Sequence, residues 1–143
     1  MKIPSLKKRT QKSGFTLLEL LVVISIIGIL MALSVVAFST AQKKGRDARR
    51  RADVKAMAAA FEQYYADNNS IYTNACSSLS TYITSGTPVD PKNSGSYVYA
   101  YSCTASTYCI SALLEETGKG NCSVGSPTCT LGAGNYACAK NQQ

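Results

Sequence analysis

The feature that most constrains this chain is a long apolar run near its start, residues 15–38, which reads FTLLELLVVISIIGILMALSVVAF. Nineteen of these 24 residues are apolar, and the single charged residue is Glu19. At about 1.5 Å per residue a helix of this length reaches roughly 36 Å, enough to cross a hydrocarbon core of about 30 Å. We therefore predict one membrane-spanning helix.

Two other interpretations of the apolar run stay open. A buried soluble helix is the weaker one, because no other part of the chain could cover it. A cleaved secretory signal is the stronger one, since basic residues precede the run and the small residues Ser39-Thr40-Ala41 follow it. The apolar part of such a signal usually has about 7–15 residues, and this run is longer and contains a carboxylate.

Glu19 is the unusual residue of the run, because a carboxylate costs about 2.5–3.5 kcal/mol at the bilayer centre and less near a helix end. It either lies solvated at the interface or awaits a cation. Cleavage between Gly14 and Phe15 would place a new α-amino group at the start of the helix. In a neighbouring copy staggered by about one helical turn, that amine would reach Glu19.

The segment KSGFTLLEL, residues 12–20, resembles the prepilin processing motif of type IV pilins and the related pseudopilins. Those proteins have a short basic leader ending in Gly, then Phe, then apolar residues with Glu fifth after the cut. The resemblance implies that a prepilin peptidase cuts after Gly14 and N-methylates Phe15. It also implies that Glu19 neutralises the Phe15 amine of an adjacent subunit during assembly.

The resemblance further implies a location and a set of partners. The precursor would be a single-pass cytoplasmic membrane protein with its C-terminal head outside, and would later enter an extracellular filament or a periplasmic pseudopilus. Its partners would be copies of itself and other pilins, the prepilin peptidase, the inner-membrane assembly platform, and membrane lipid before assembly.

A helical pattern continues beyond the apolar run to about Asp67, with Gly45 as a weak point that costs about 1 kcal/mol relative to Ala. Asp47 and Arg51 are spaced as an i, i+4 ion pair. One helical face carries an apolar stripe that we expect to pack under the C-terminal body: Val54, Met57, Ala58, Phe61 and Tyr65.

The chain has 15 basic and 8 acidic residues, a formal charge of +7, but the excess belongs to the blocks 1–14 and 43–55. From residue 56 onward the chain is slightly acidic, so net charge alone does not indicate nucleic-acid binding. We interpret block 43–55 as a solvated or ion-paired helix face; contact with lipid headgroups or nucleic acid is a weaker interpretation. Because both blocks flank the span, the positive-inside rule does not set its orientation.

The six cysteines all follow the predicted helix, and they are Cys76, Cys103, Cys109, Cys122, Cys129 and Cys138. An even number on one side of a span indicates disulfides and an oxidising exterior, with 15 connectivities that the sequence leaves open. No two are spaced as C-x₂-C and the chain has no His, so no metal site is expected. Without His, Ser-His-Asp and Cys-His catalysis by this chain are also excluded. We expect neither an enzyme nor a cofactor.

In the C-terminal body we predict a short helix over 76–84, with Leu79, Tyr82 and Ile83 facing inward. Alternating residues predict a strand over 97–101 with three Tyr on one face, and a second over 108–114, joined by a hairpin turn at 104–107. Gly, Ser, Thr and Asn dominate 118–135, which we predict to be a loop. A last strand is expected over 135–140.

The body resembles the family less closely. The run Pro88-Val89-Asp90-Pro91 before a Tyr-rich strand is similar to small pilins and to the major pseudopilin of type II secretion, in some of which a nearby loop binds calcium. Asp90 is the only acid between residues 68 and 114, so no calcium site is expected here. Glu115 and Glu116 are interpreted as a solvated strand end.

Together these features predict an α+β fold, in which a long N-terminal helix packs on a small antiparallel sheet with a disulfide-stapled C-terminal region. The expected divisions are a cleaved leader 1–14, a transmembrane or filament-core helix 15–38, an amphipathic continuation 39–67 and a globular head 68–143. The expected function is a structural subunit of a type IV pilus-like filament. The alternatives are a pseudopilin of a type II secretion-like machine and a secreted or singly anchored disulfide-rich binding module.

Overall fold

The computed structural model describes residues 14–84 and 86–141, so most of the predicted leader, 1–14, lies outside the described residues. Helices come first and strands follow, as the α+β prediction requires. The elements in chain order are α1 Leu17–Asp67, α2 Ala75–Tyr82, β1 Tyr99–Cys103, β2 Tyr108–Leu113, β3 Gly120–Val124, β4 Thr130–Gly134 and β5 Tyr136–Lys140.

The chain divides into two compact units, one ending at Phe38 and the other beginning at Ser39. Helix α1 contributes to both units and runs through Gly45 without interruption. The predicted weak point at this glycine therefore does not end the helix. A side chain added at Gly45 would meet no other atom within 4 Å, so the position is open.

The five strands of the second unit form one antiparallel sheet in the order β1-β2-β5-β3-β4. The β1–β2 hairpin closes with a hydrogen bond of 2.8 Å from the Thr104 amide to the Thr107 carbonyl, which confirms the predicted turn. The last strand returns to the middle of the sheet, where it pairs with β2 on one side and β3 on the other.

The prediction of a loop over 118–135 is wrong, because this stretch contains β3 and β4. Their register shifts on both sides of Cys122, so the pairing has no regular alternation. A Cβ at Gly120 would overlap the Tyr136 backbone, and one at Gly134 would overlap the Cys122 carbonyl. Glycine at these two positions therefore permits a close strand approach that composition alone presents as loop.

The hydrophobic core of the second unit lies between α1 and the first two strands. The predicted stripe is confirmed at Val54, Met57 and Phe61, which are 3%, 0% and 0% exposed. The buried face of α1 is rotated slightly from the predicted stripe. Ala60 and Tyr64 are buried, while Ala58 and Tyr65 are only partly buried at the edge of the core. The Phe61 ring lies 5.0 Å from that of Tyr108 on β2, so aromatic contacts join helix and sheet.

The inward residues of α2 are confirmed, since Leu79 is buried and Tyr82 and Ile83 pack against the same core. The first strand differs from its prediction because β1 begins at Tyr99. The hydroxyl of Tyr99 donates a hydrogen bond of 2.6 Å to Asp53 on α1. Tyr97 lies before the strand, with its ring centre 4.9 Å from the Arg50 guanidinium carbon.

Candidate functional site

The first candidate site is the start of α1, where Thr16 and Glu19 form reciprocal hydrogen bonds. Oε2 of Glu19 accepts from the Thr16 amide at 2.9 Å and from the Thr16 hydroxyl at 2.8 Å, and the Glu19 amide donates to the Thr16 hydroxyl at 3.2 Å. This is a capping box, which satisfies backbone amides that the first helical turn leaves unpaired. The Thr-x-x-Glu pattern is visible in the sequence, but the sequence analysis did not identify Thr16 as a functional residue.

The helix that follows this cap exposes a continuous apolar surface. Large apolar side chains from Phe15, 89% exposed, to Phe38, 66% exposed, have no cover within the described structure. In the part of the chain that the structure describes, α1 alone is long and apolar enough to cross a membrane. An apolar surface of this size is unfavourable in water, and it marks a site that lipid or another protein covers.

Gly14, Phe15 and Glu19 lie together at the start of this helix, with Gly14 and Phe15 ahead of its first turn. Phe15 is 89% exposed, and a Cβ at Gly14 would meet no atom of the described residues within 4 Å. The roles of the three residues in cleavage, methylation and assembly stay predictions. The residues before Gly14 lie outside the described structure.

The second notable site is a buried charge cluster formed by Arg46, Asp47, Arg50, Asp90 and Glu115. The Arg50 side chain is fully buried and donates to all three carboxylates. Its Nε and Nη2 reach Asp90 at 2.6 and 2.9 Å, and its Nη1 reaches Asp47 at 2.7 Å and Glu115 at 2.9 Å. Arg46 donates two further hydrogen bonds to Glu115, from Nε at 2.7 Å and from Nη2 at 2.8 Å.

Backbone amides complete the cluster. Asp47 accepts from the amides of Glu115 and Glu116 at 2.9 Å each, and Asp90 accepts from the amide of Lys92 at 2.8 Å. Among the described residues, no buried side-chain nitrogen or oxygen lacks a hydrogen-bond partner. The cluster thus fixes two loops of the head on α1 at neighbouring turns of the helix.

The cluster shifts the protonation of its carboxyl groups. Hydrogen bonds from Arg46, opposed by burial and aided by Arg50, lower the pKa of Glu115 to about 2. Burial alone would raise the pKa of Asp90, but the hydrogen bonds from Arg50 and the Lys92 amide outweigh it, so this pKa is lowered. Both groups stay ionised well below neutral pH.

Two predictions about charged residues need correction here. Glu115 is not a solvated strand end, because its side chain is 6% exposed and bound by two arginines. Within the basic block, the prediction of a solvated or ion-paired face is met at Arg50 by ion pairing, since this fully buried side chain contacts three carboxylates. Asp47 pairs with Arg50 and not with Arg51, whose Nη2 instead donates to the Lys119 carbonyl at 2.9 Å. Linear spacing missed these contacts because Asp90 and Glu115 are 40 and 65 residues from Arg50.

All six cysteines form disulfides, as predicted, and the structure selects one of the 15 connectivities. Cys76–Cys103 joins α2 to β1, Cys109–Cys129 joins β2 to the turn before β4, and Cys122–Cys138 joins β3 to β5. The Cα atoms of each pair lie 5.7–5.9 Å apart, within the usual range for disulfides. The last two bonds lie together, with the sulfurs of Cys122, Cys129 and Cys138 within 4.8 Å of one another.

Comparison with known proteins found one matching motif and two similar curated proteins. Residues 9–35 match the description "Prokaryotic N-terminal methylation motif". A type II secretion system core protein G from Pseudomonas aeruginosa is 43% identical over 61 residues, which are 43% of either chain. The protein of the same name from Vibrio cholerae serotype O1 is 33% identical over 95 residues, 65% of this chain and 64% of the relative. No solved structure matches.

An apolar N-terminal helix with a methylation motif, followed by a helix-on-sheet head with three disulfides, is a pilin-like α+β arrangement. The chain is thus similar to type II secretion pseudopilins, and its N-terminal segment carries the processing motif that they share with type IV pilins. The chain spans less than two thirds of the length of the curated relatives it matches.

Proposed function

We propose that this chain is a pseudopilin-type subunit of a type II secretion-like machine. The observation that carries the proposal is that both relatives are type II secretion system core proteins G, and that one aligns beyond α1 into the head. These relatives favour the secretion pseudopilus over the pilus filament that the processing motif alone suggested. Assembly of the subunits would follow the same physical steps in a pseudopilus as in a pilus filament.

Processing is the first proposed step. A prepilin peptidase would cut after Gly14 and methylate the new amine of Phe15. The 89% exposure of Phe15 supports this, because a membrane enzyme must reach the residue that it modifies. The proposed divisions of the chain are then the leader 1–14, the helix 15–38, its continuation 39–67 and the head 68–143.

Assembly is the second proposed step. Before assembly, lipid would cover the apolar side chains between Phe15 and Phe38; afterwards, neighbouring subunits would cover them. Partner subunits would be copies of this chain and other pseudopilins, joined at an inner-membrane platform. The head would stay outside the cytoplasmic membrane, where its three disulfides are stable.

The charge pair between Glu19 and the Phe15 amine of an adjacent subunit would set the stagger between helices. The capping box leaves room for that contact. Both hydrogen bonds from Thr16 use Oε2, and no residue in the described range donates to Oε1. One carboxylate can therefore cap its own helix and accept a neighbour's amine.

Ordinary secretion with cleavage near Ala41 receives less support. Ser39, Thr40 and Ala41 lie within α1, and the helix continues past them to Asp67. A protease would have to unwind the helix at this point. The exposed capping segment around Gly14 requires no such unwinding.

Two substitutions separate the charge pair from the cap. Glu19→Gln keeps the capping box, since Gln serves in it as well as Glu, but removes the charge. Thr16→Ala removes the cap and keeps the charge. We expect Glu19→Gln to insert in the membrane of the host but to give no chemical crosslinks between subunits. We expect Thr16→Ala to give such crosslinks as the wild-type chain does. Normal crosslinking of Glu19→Gln would contradict the charge pair.

A further inference from the structure

A groove outside the N-terminal segment and the charge cluster runs between α1 and the strands β3 and β5. It consists of two adjoining recesses of about 340 and 760 Å³. Both recesses are lined by Ala58 of α1 together with Asn121, Cys138 and Ala139 of the sheet. The two recesses therefore adjoin at these four residues.

The rim of this groove is strongly basic. Arg51, Lys55 and Lys119 line the smaller recess, and Lys140 lines the larger one. The bond from Arg51 to the Lys119 carbonyl holds two of these residues together. In the described ranges, none of the four forms an ion pair with a carboxylate. Glu62 lies at the far end of the larger recess and accepts a hydrogen bond of 3.0 Å from Tyr72.

The floor of the groove is formed largely by small apolar side chains. Val54, Ala58, Ala137 and Ala139 lie beneath the basic rim of the smaller recess. The one aromatic ring that lines either recess is Tyr108, which is 4% exposed and packs on Phe61. A nucleic-acid groove would be expected to offer exposed rings on which bases stack. Small apolar side chains beneath cations instead suit a peptide with alternating small and acidic residues.

We propose that this groove binds an extended acidic segment of a different protein. The charge balance of the head argues against a second copy as the occupant. From residue 39 onward in the described structure, three carboxylates lie outside ion pairs: Glu62, Asp67 and Glu116. Seven cations do so: Lys43, Lys44, Arg51, Lys55, Lys92, Lys119 and Lys140. A second copy would therefore bring mostly like charge to the rim.

This inference goes beyond the proposed function and is independent of how the N-terminus is processed. The test uses the full chain in a neutral detergent and a fluorescein-labelled peptide of alternating Glu and Ala, read by fluorescence anisotropy. Peptides of alternating Gln and Ala and a short single-stranded oligothymidine are the comparison probes. We expect the acidic peptide to bind, and its affinity to fall as salt screens the exposed cations.

Matched variants locate the site. The double variant Lys55→Gln/Lys119→Gln removes two rim cations, and Lys43→Gln/Lys44→Gln removes two cations of α1 outside the groove. We expect about a tenfold loss of affinity for the first pair, as two weakened ion pairs would give, and less than about threefold for the second. Ala58→Leu narrows the floor without changing charge and should also weaken binding. Unfolding midpoints measured on each variant confirm that the head stays folded.

Several outcomes would overturn the proposal. Equal losses in the two double variants would mean diffuse attraction to a basic surface. Tighter binding of the oligothymidine would indicate a nucleic-acid surface instead. Equal binding of the Gln and Glu peptides, or no binding of the acidic peptide, would remove the charge-based role of the groove.

Discussion

The guanidinium of Arg50 donates two parallel hydrogen bonds to the carboxylate of Asp90, from Nε at 2.6 Å and from Nη2 at 2.9 Å. Both side chains are almost completely buried. The contact joins α1 to the loop before β1 across 40 residues of sequence. A buried pair of this kind becomes costly when one partner is removed, because the other charge then remains without compensation.

The first prediction concerns Arg50 itself. Arg50→Met should destabilise the head by about 3–5 kcal/mol, because three carboxylates would lose their shared cation. The matched control is Arg49→Met. The Arg49 side chain is 65% exposed and its Nε lies 3.7 Å from Asp53, so this change should cost less than about 1 kcal/mol. Urea unfolding of the full chain in detergent measures both. Similar losses in the two variants would contradict the role of the buried cluster.

Acid should weaken the same cluster. The folded-state pKa values of Glu115 and Asp90 are lowered, so their contribution to stability is complete above their ordinary values near 4. That contribution is lost as pH falls from about 4.5 towards about 2, the folded-state pKa of Glu115. Unfolding midpoints recorded across this range should fall steadily, and more weakly in Arg46→Met/Glu115→Gln. A midpoint that is flat down to pH 2 would mean that these carboxylates are not coupled to folding.

The disulfide between Cys76 and Cys103 should stabilise the head by restricting its unfolded chain. Its ends are 27 residues apart, for which loop entropy gives about 3–4 kcal/mol. Cys76→Ala/Cys103→Ala should lower stability by this order, and added reductant should still lower it further through the other two bonds. If the double variant unfolds at the wild-type midpoint, this bond is not a stabilising link.

Two glycine substitutions should have opposite effects. Gly134→Ala should destabilise the sheet by about 1–3 kcal/mol, because its Cβ would overlap the Cys122 carbonyl on the paired strand. Gly45→Ala lies in open space within α1 and should stabilise by up to about 1 kcal/mol. Circular dichroism melts of the two variants provide the measurement. A neutral Gly134→Ala would show that β3 and β4 can separate at no cost.

The sequence was sufficient to predict the elements that rest on local patterns. The apolar run and the stripe from Val54 to Phe61 predicted α1, and alternating β-formers predicted β2 and the β1–β2 hairpin. Strands β3 and β4 were missed because their pairing depends on glycines at close strand contacts, such as Gly134, and on contacts remote in sequence. The same remoteness hid the burial of Arg50.

The N-terminal site divides in the same way. Gly14, Phe15 and Glu19 were identified from residue type and spacing. The cap between Thr16 and Glu19 follows from the Thr-x-x-Glu pattern, an i, i+3 spacing that is also visible in the sequence. The pairing of the six cysteines required the sheet order, because β5 must lie between β2 and β3 before Cys138 can meet Cys122.

Intact mass and N-terminal peptide mapping of the protein from its native membrane provide the decisive measurement. The mature chain should begin at Phe15 and carry one added methyl group on its amine. A chain that begins near residue 42 would mean ordinary secretion and would leave Glu19 without a role in assembly. A chain that keeps Met1 in a host with an active prepilin peptidase would contradict processing at Gly14.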